Sequence, residues 1–82
     1  MEEKLRQLGY SISTCGNIVM GCKHLHDHNL YLNIIFINGK LYDYYMADLV
    51  VRNQNDIDNI QTACDVLQND VKELENEYKN IW

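Results

Sequence analysis

The sequence predicts an α+β fold: a short N-terminal helix, a four-stranded antiparallel meander and a long C-terminal helix. Three observations predict it. Residues 10–46 alternate with a two-residue period around the turn dipeptide Asn38-Gly39. From Asn53 the period turns helical, with Ile57, Ile60, Cys64, Leu67, Val71, Leu74, Tyr78 and Ile81 separated alternately by three and four residues. The 82 residues contain no proline and are 46% hydrophobic and 23% charged, which suits a single folded domain spanning 1–82.

Met1–Leu8 reads as a short helix. Leu5 and Leu8 lie three apart, Glu2 and Glu3 favour the positive end of the helix dipole, and Gly9 suits a left-handed cap. Asn38-Gly39 supplies the positive φ angles of a type I′ turn, which sets Ile37 opposite Lys40, Phe36 opposite Leu41 and Ile35 opposite Tyr42. Gly16-Asn17 marks a second two-residue turn, between strands Tyr10–Cys15 and Ile18–Leu25. A third at Asp27-His28 would place Leu25 opposite Leu30.

This register separates two faces. One holds Tyr10, Ile12, Val19, Leu25, Leu30, Leu32, Ile34, Phe36, Leu41 and Tyr45, and is the better core. The other holds Cys15, Ile18, Met20, Cys22, His24, Tyr31, Ile35, Ile37, Tyr42, Tyr44 and Met46. The second face is too apolar for an ordinary wet surface, and the two helices cannot cover both. Tyr31, Tyr42 and Tyr44 on it are therefore candidate partner contacts, since tyrosine is enriched at interfaces. Residues 47–52 either extend the last strand or lead into the final helix.

That final helix, spanning 54–82, has Asn53 and Asn55 as candidate N-caps and Asp56 and Asp58 in its first turn. From Asp56 to Trp82 it would run about 40 Å, longer than a domain of this size, whose diameter is roughly 30 Å. Its distal seam (Leu74, Tyr78, Ile81, Trp82) would then lack cover. Either the seam packs on the better sheet face, or part of it meets another helix. In a parallel homodimer Asp70 would face Glu75 of the second chain, which weighs against self-pairing through the seam.

Charge is unevenly placed. Residues 1–52 balance, whereas residues 53–82 carry two bases against seven acids, so the whole net charge of −5 lies in the C-terminal third. A nucleic-acid binder normally displays a basic stripe, so direct DNA or RNA binding is discounted. The acids Asp65, Asp70, Glu73, Glu75 and Glu77 instead predict a docking surface for a protein with a basic face. The alternative is a solvated helix face kept soluble by its charge.

Catalytic patterns are sparse. The four glycines are scattered rather than grouped in a phosphate-binding loop, and Cys22 with His24 lacks a third residue to orient a base, so no enzyme and no cofactor are expected. Cys22, His24 and His26 are the candidate metal ligands, with Asp27 or His28 needed as a fourth. Cys15 would lie roughly 13 Å from Cys22 along the strand. No apolar run reaches membrane-spanning length, and residues 1–10 lack the basic and apolar regions of a secretory signal. Three cysteines at low density fit a reducing compartment, hence a cytoplasmic protein.

In size, charge and layout the chain resembles the anti-defence inhibitors carried by phages, DNA-mimicking anti-CRISPR proteins among them. The resemblance rests on a small, acidic, proline-free, Asn/Tyr/Ile-rich chain with an α–meander–α order, and assigns no role to a single residue. It implies an inhibitor that binds a basic, nucleic-acid-binding surface of a host protein. Two other readings remain open: a homo-oligomer assembling through the helix seam or the exposed sheet face, and a metal-binding protein using Cys22–His28.

Overall fold

In the computed structural model, which describes residues 1–25, 30–78 and 81, the elements follow the expected order. They are α1 (Glu2–Gln7), β1 (Ser11–Cys15), β2 (Ile18–Leu25), β3 (Leu30–Ile37), β4 (Lys40–Ala47) and α2 (Gln54–Glu77). The strands form one antiparallel sheet in the order β1-β2-β3-β4.

Local chemistry sets most boundaries. α1 ends in a Schellman motif: Gly9, at φ 98°, donates to the Arg6 carbonyl and Tyr10 donates to the Leu5 carbonyl. Asn38 and Gly39 both take positive φ, as the type I′ turn requires. The Asn38 amide also donates to the Asn17 carbonyl at 3.0 Å, tying two neighbouring turns together. Asp48, at φ 63°, stops β4 just after Ala47. Residues 48–52 thus neither extend the strand nor join the helix. Asn53 is the N-cap of α2, its side chain accepting from the Asp56 amide at 3.0 Å.

The pairings Cys15 with Ile18, Leu25 with Leu30, Ile37 with Lys40 and Phe36 with Leu41 form as expected. Residues 27 and 28, assigned to the intervening turn, lie outside the described residues. One pairing differs. Ile35 faces Asp43 instead of Tyr42, because β4 carries a bulge opposite Ile35/Phe36. The extra residue inverts the rest of the strand. Tyr44 now pairs with Ile34 and Met46 with Leu32, so both join the core face, and Tyr45 moves to the other side beside Asn33.

Both helices pack on that one face. Leu5 of α1 and Ala63, Leu67, Val71 and Leu74 of α2 close over Leu30, Leu32, Ile34, Phe36 and Leu41. Gly21 makes the close fit of α1 possible: a Cβ there would stand 3.3 Å from the Tyr10 ring and 3.4 Å from Leu5.

The final helix is continuous but shorter than predicted. Its 24 residues run about 36 Å at 1.5 Å per residue, and its distal seam residues Val71 and Leu74 are buried in the core, so no distal rod overhangs. Tyr78 turns extended, and the Leu41 amide, on the free edge of β4, donates to the Ile81 carbonyl. Leu74 and Ile81 are buried; Trp82 lies outside the described residues. Of the two readings of the seam, packing on the sheet holds. The exposed end is the first turn, where Ile57 is 44% accessible. The buried stripe is also wider than an a/d seam, because a helix lying on a sheet buries an arc of about 100° or more, and Ala63 and Asp70 fall within it.

Candidate functional site

Two surfaces stand on opposite sides of the sheet. The first is the uncovered face. Its cross-strand pairs are Ile18 with Ile37, Met20 with Ile35, Cys22 with Asn33, and His24 with Tyr31, extended across β4 by Tyr45. The His24 and Tyr31 rings stack at 4.4 Å with an interplanar angle of 21°. Ile18 and Met20 are 37% and 39% accessible, Tyr45 is 41%, and Tyr42, projecting from the bulge, is 68%.

The predicted tyrosine cluster is therefore split. Tyr31 and Tyr42 lie on the open face, but Tyr44 lies half-buried on the helix side, where it lines a shallow recess with Gln68, Asn69, Val71, Lys72 and Glu75. Tyr45, assigned to the core by the unbulged register, replaces it on the open face. The sequence did carry a sign of the bulge: an unbulged β4 would put Asp43 on the core face between Leu41 and Tyr45, and the extra residue turns that acid outward beside Ile35.

The second surface is the outer side of α2. Asp65, Glu73 and Glu77 are exposed there and Glu75 is half-buried; Glu73 pairs with Lys4 of α1 at 3.5 Å. Asp70 does not belong to this surface. It is 7% accessible, accepting from the Tyr10 hydroxyl at 2.8 Å and from the Lys23 ammonium at 3.0 Å. The same ammonium donates to the Leu8 carbonyl at 2.8 Å and lies 5.1 Å from the centre of the Tyr10 ring. One buried carboxylate thus joins α2 to β2 and to the exit of α1.

Burial, reinforced by the bond to Asp70, pushes the Tyr10 phenol well above the ordinary tyrosine range. The phenol stays a proton donor at any working pH. Lys23 was the available clue to this cluster. Strict alternation through Val19, Gly21, Lys23 and Leu25 points a lysine into the core, and a lysine there needs a carboxylate.

At the start of α2, the Asp56 carboxylate accepts from the Arg52 side chain at 3.1 Å and from its amide at 3.0 Å. These bonds hold the Asp56 carboxyl below the usual aspartate value, the side-chain bond contributing most. They fasten the helix N-terminus rather than offering a free acid to a partner.

Comparison with protein-family models, curated proteins and solved structures finds no match for this chain. The arrangement of its own residues therefore carries the functional argument.

Cys22 and His24 share the open face, as expected for the metal-binding reading, and His26 lies outside the described residues. Among the described residues, no group of three or more His, Cys, Asp or Glu side chains is placed to hold a metal ion. The three cysteines are unbridged. No helix among the described residues is long and apolar enough to cross a membrane. The sequence reading also missed the stretch Leu49–Val51, whose three aliphatic side chains are exposed near Ile57 in the chain.

Proposed function

We propose that the protein is a non-catalytic interaction module whose outer helix face docks on a basic surface of another protein. The favoured target is the nucleic-acid-binding groove of a host protein, and the action is inhibitory, as in the phage-borne inhibitors that the chain resembles. The host cytoplasm is the compartment in which such a target is met.

One observation carries the reading. Beyond its exposed first turn the apolar stripe of α2 is buried inside the fold, so the rest of the helix offers a partner mainly its polar side, where Asp65, Glu73, Glu75 and Glu77 stand against Lys72. Carboxylates spaced along a rigid helix present anionic oxygens to Arg and Lys much as phosphates do. With Asp70 neutralised internally, the recognition set narrows to Asp65, Glu73, Glu75 and Glu77.

The test is capture of nucleic-acid-binding proteins from a bacterial lysate on immobilised protein, with duplex DNA as competitor. The wild type should retain a partner that is released by DNA and by raised salt, because screening weakens exposed charge contacts. Asp65→Lys, Glu73→Lys and Glu77→Lys together should lose it while keeping the wild-type melting profile. Equal capture by the triple variant, or capture indifferent to salt, rejects the acidic-face mechanism.

A further inference from the structure

We propose that the open face of the sheet is the interface of a symmetric homodimer, in which two copies stack sheet on sheet with their acidic helices outermost. The inference does not rest on the acidic-face reading, since it concerns the opposite side of the molecule.

Three observations point to a second copy as the occupant. The first is charge. Among the described residues of this face the formal charges are Lys40 and Asp43, both at the start of β4, and they cancel. The net charge of −5 resides in residues 53–82, whose described part packs on the far side. Stacked sheets sit about 10 Å apart, and a helix layer adds about 10 Å on either side, so the two α2 helices would be about 30 Å apart. That exceeds three Debye lengths at physiological salt, each about 8 Å, so the like charges scarcely interact. Pairing through α2 would press the same acids together.

The second observation is area. Three strands of eight residues and one of five make a sheet whose flat footprint is roughly 450 Å² per copy at the usual strand spacing and rise. The relief of Ile18, Met20, Tyr31, Ile35 and Tyr45 takes the surface lost by a pair above about 1,000 Å², the lower bound for a specific interface. This predicts a dimer held in the micromolar range rather than an obligate one.

The third is composition. An isologous interface brings a patch against itself, so it must be self-compatible. Aliphatic side chains at the β1–β2 turn end (Ile18, Met20, Ile35, Ile37) and aromatic ones at the other (His24, Tyr31, Tyr45) meet that condition; a patch of one charge would not. The bulge that turns Tyr45 outward adds to this face.

The experiment is solution mass against concentration by analytical ultracentrifugation. The wild type should pass from 9.7 kDa to twice that mass over the micromolar range. The double variant Ile18→Lys, Met20→Lys should stay monomeric, with its dissociation constant raised at least about a hundredfold by the unpaired charges that both copies would bury. Lysine also reduces the magnitude of the negative net charge, so general repulsion cannot explain a loss of pairing. Asp65→Lys with Glu77→Lys should leave the mass profile unchanged, which separates this inference from the acidic-face reading.

A second measurement needs no variant. In a mixture of isotope-labelled and unlabelled wild-type chains, intermolecular NOEs should link the methyl groups of Ile18, Met20 and Ile35. A wild type monomeric to hundreds of micromolar, a double variant that still dimerises, or intermolecular NOEs confined to α2 or to the edge strand β1 would each overturn the proposal.

Discussion

β3 shows how two nearly identical surfaces come to differ. Its sequence LYLNIIFI places Leu30, Leu32, Ile34 and Phe36 on one side and Tyr31, Asn33, Ile35 and Ile37 on the other. The first set is buried under the helices. The second is only partly covered, by its own neighbours in the sheet. The two sides differ modestly in hydrophobicity, and with only two helices the chain can cover one of them. α2 and α1 both close over the side with the denser aliphatic set, since the hydrophobic gain scales with apolar area removed from water. The uncovered side keeps the apolar area on which the proposed dimer rests.

The largest expected effect sharpens that contrast directly. Phe36→Ala, on the covered side, should cost about 3–5 kcal/mol through lost transfer energy and the cavity left behind. Ile35→Ala, its neighbour on the open side, should cost about 1 kcal/mol when measured by urea unfolding in dilute solution, well below the dissociation constant of the proposed dimer. The penalty at Ile35 should grow as protein concentration rises, by mass action. Equal losses at both positions in dilute solution would mean that the open side is already covered within one chain.

The second effect concerns the polar group inside the covered side. Asp70→Ala strips the Lys23 ammonium and the Tyr10 hydroxyl of their shared acceptor and should cost about 2–4 kcal/mol. Asp65→Ala, at an exposed acid of the same helix, should cost less than about 0.5 kcal/mol. A double-mutant cycle with Lys23→Met should return a coupling above about 1 kcal/mol. If Asp70→Ala unfolds no more easily than Asp65→Ala, Asp70 returns to the outer surface and to the partner-binding set.

The smallest effect tests the bulge. Tyr44→Ala should cost about 2 kcal/mol, because its ring packs against the core, and Tyr45→Ala less than about 1 kcal/mol in dilute solution. Chemical denaturation of the two variants ranks them, and the reverse order would restore the unbulged pairing of Ile35 with Tyr42.

Much of the architecture was legible in the residues. Asn38-Gly39 located one hairpin and its register, Gly16-Asn17 another, and Gly9 the end of α1, because each depends on local backbone chemistry. The change from a two-residue to a helical period located α2 and its Asn53 cap. The candidate sites were less legible. Tyr44 and Tyr45 differ by one position, and one bulged residue exchanges their faces; the clue lay in Asp43, which an unbulged strand would place on the core face. Asp70 read as one more surface acid because a heptad seam leaves it outside, whereas a helix lying on a sheet buries a wider arc.

The amino-acid order alone determined the elements, the strand neighbours and the acidic bias of the last third, because those follow from φ preferences, side-chain period and formal charge. Tertiary packing decided which sheet face is covered, which tyrosines remain outside, that Asp70 is spent on Lys23 and Tyr10, and that α2 stops at Glu77 without glycine or proline. Those outcomes compare whole surfaces against one another: burying Ile81 and satisfying the Leu41 amide at the β4 edge outweighs another helical turn, and no local signal encodes that balance.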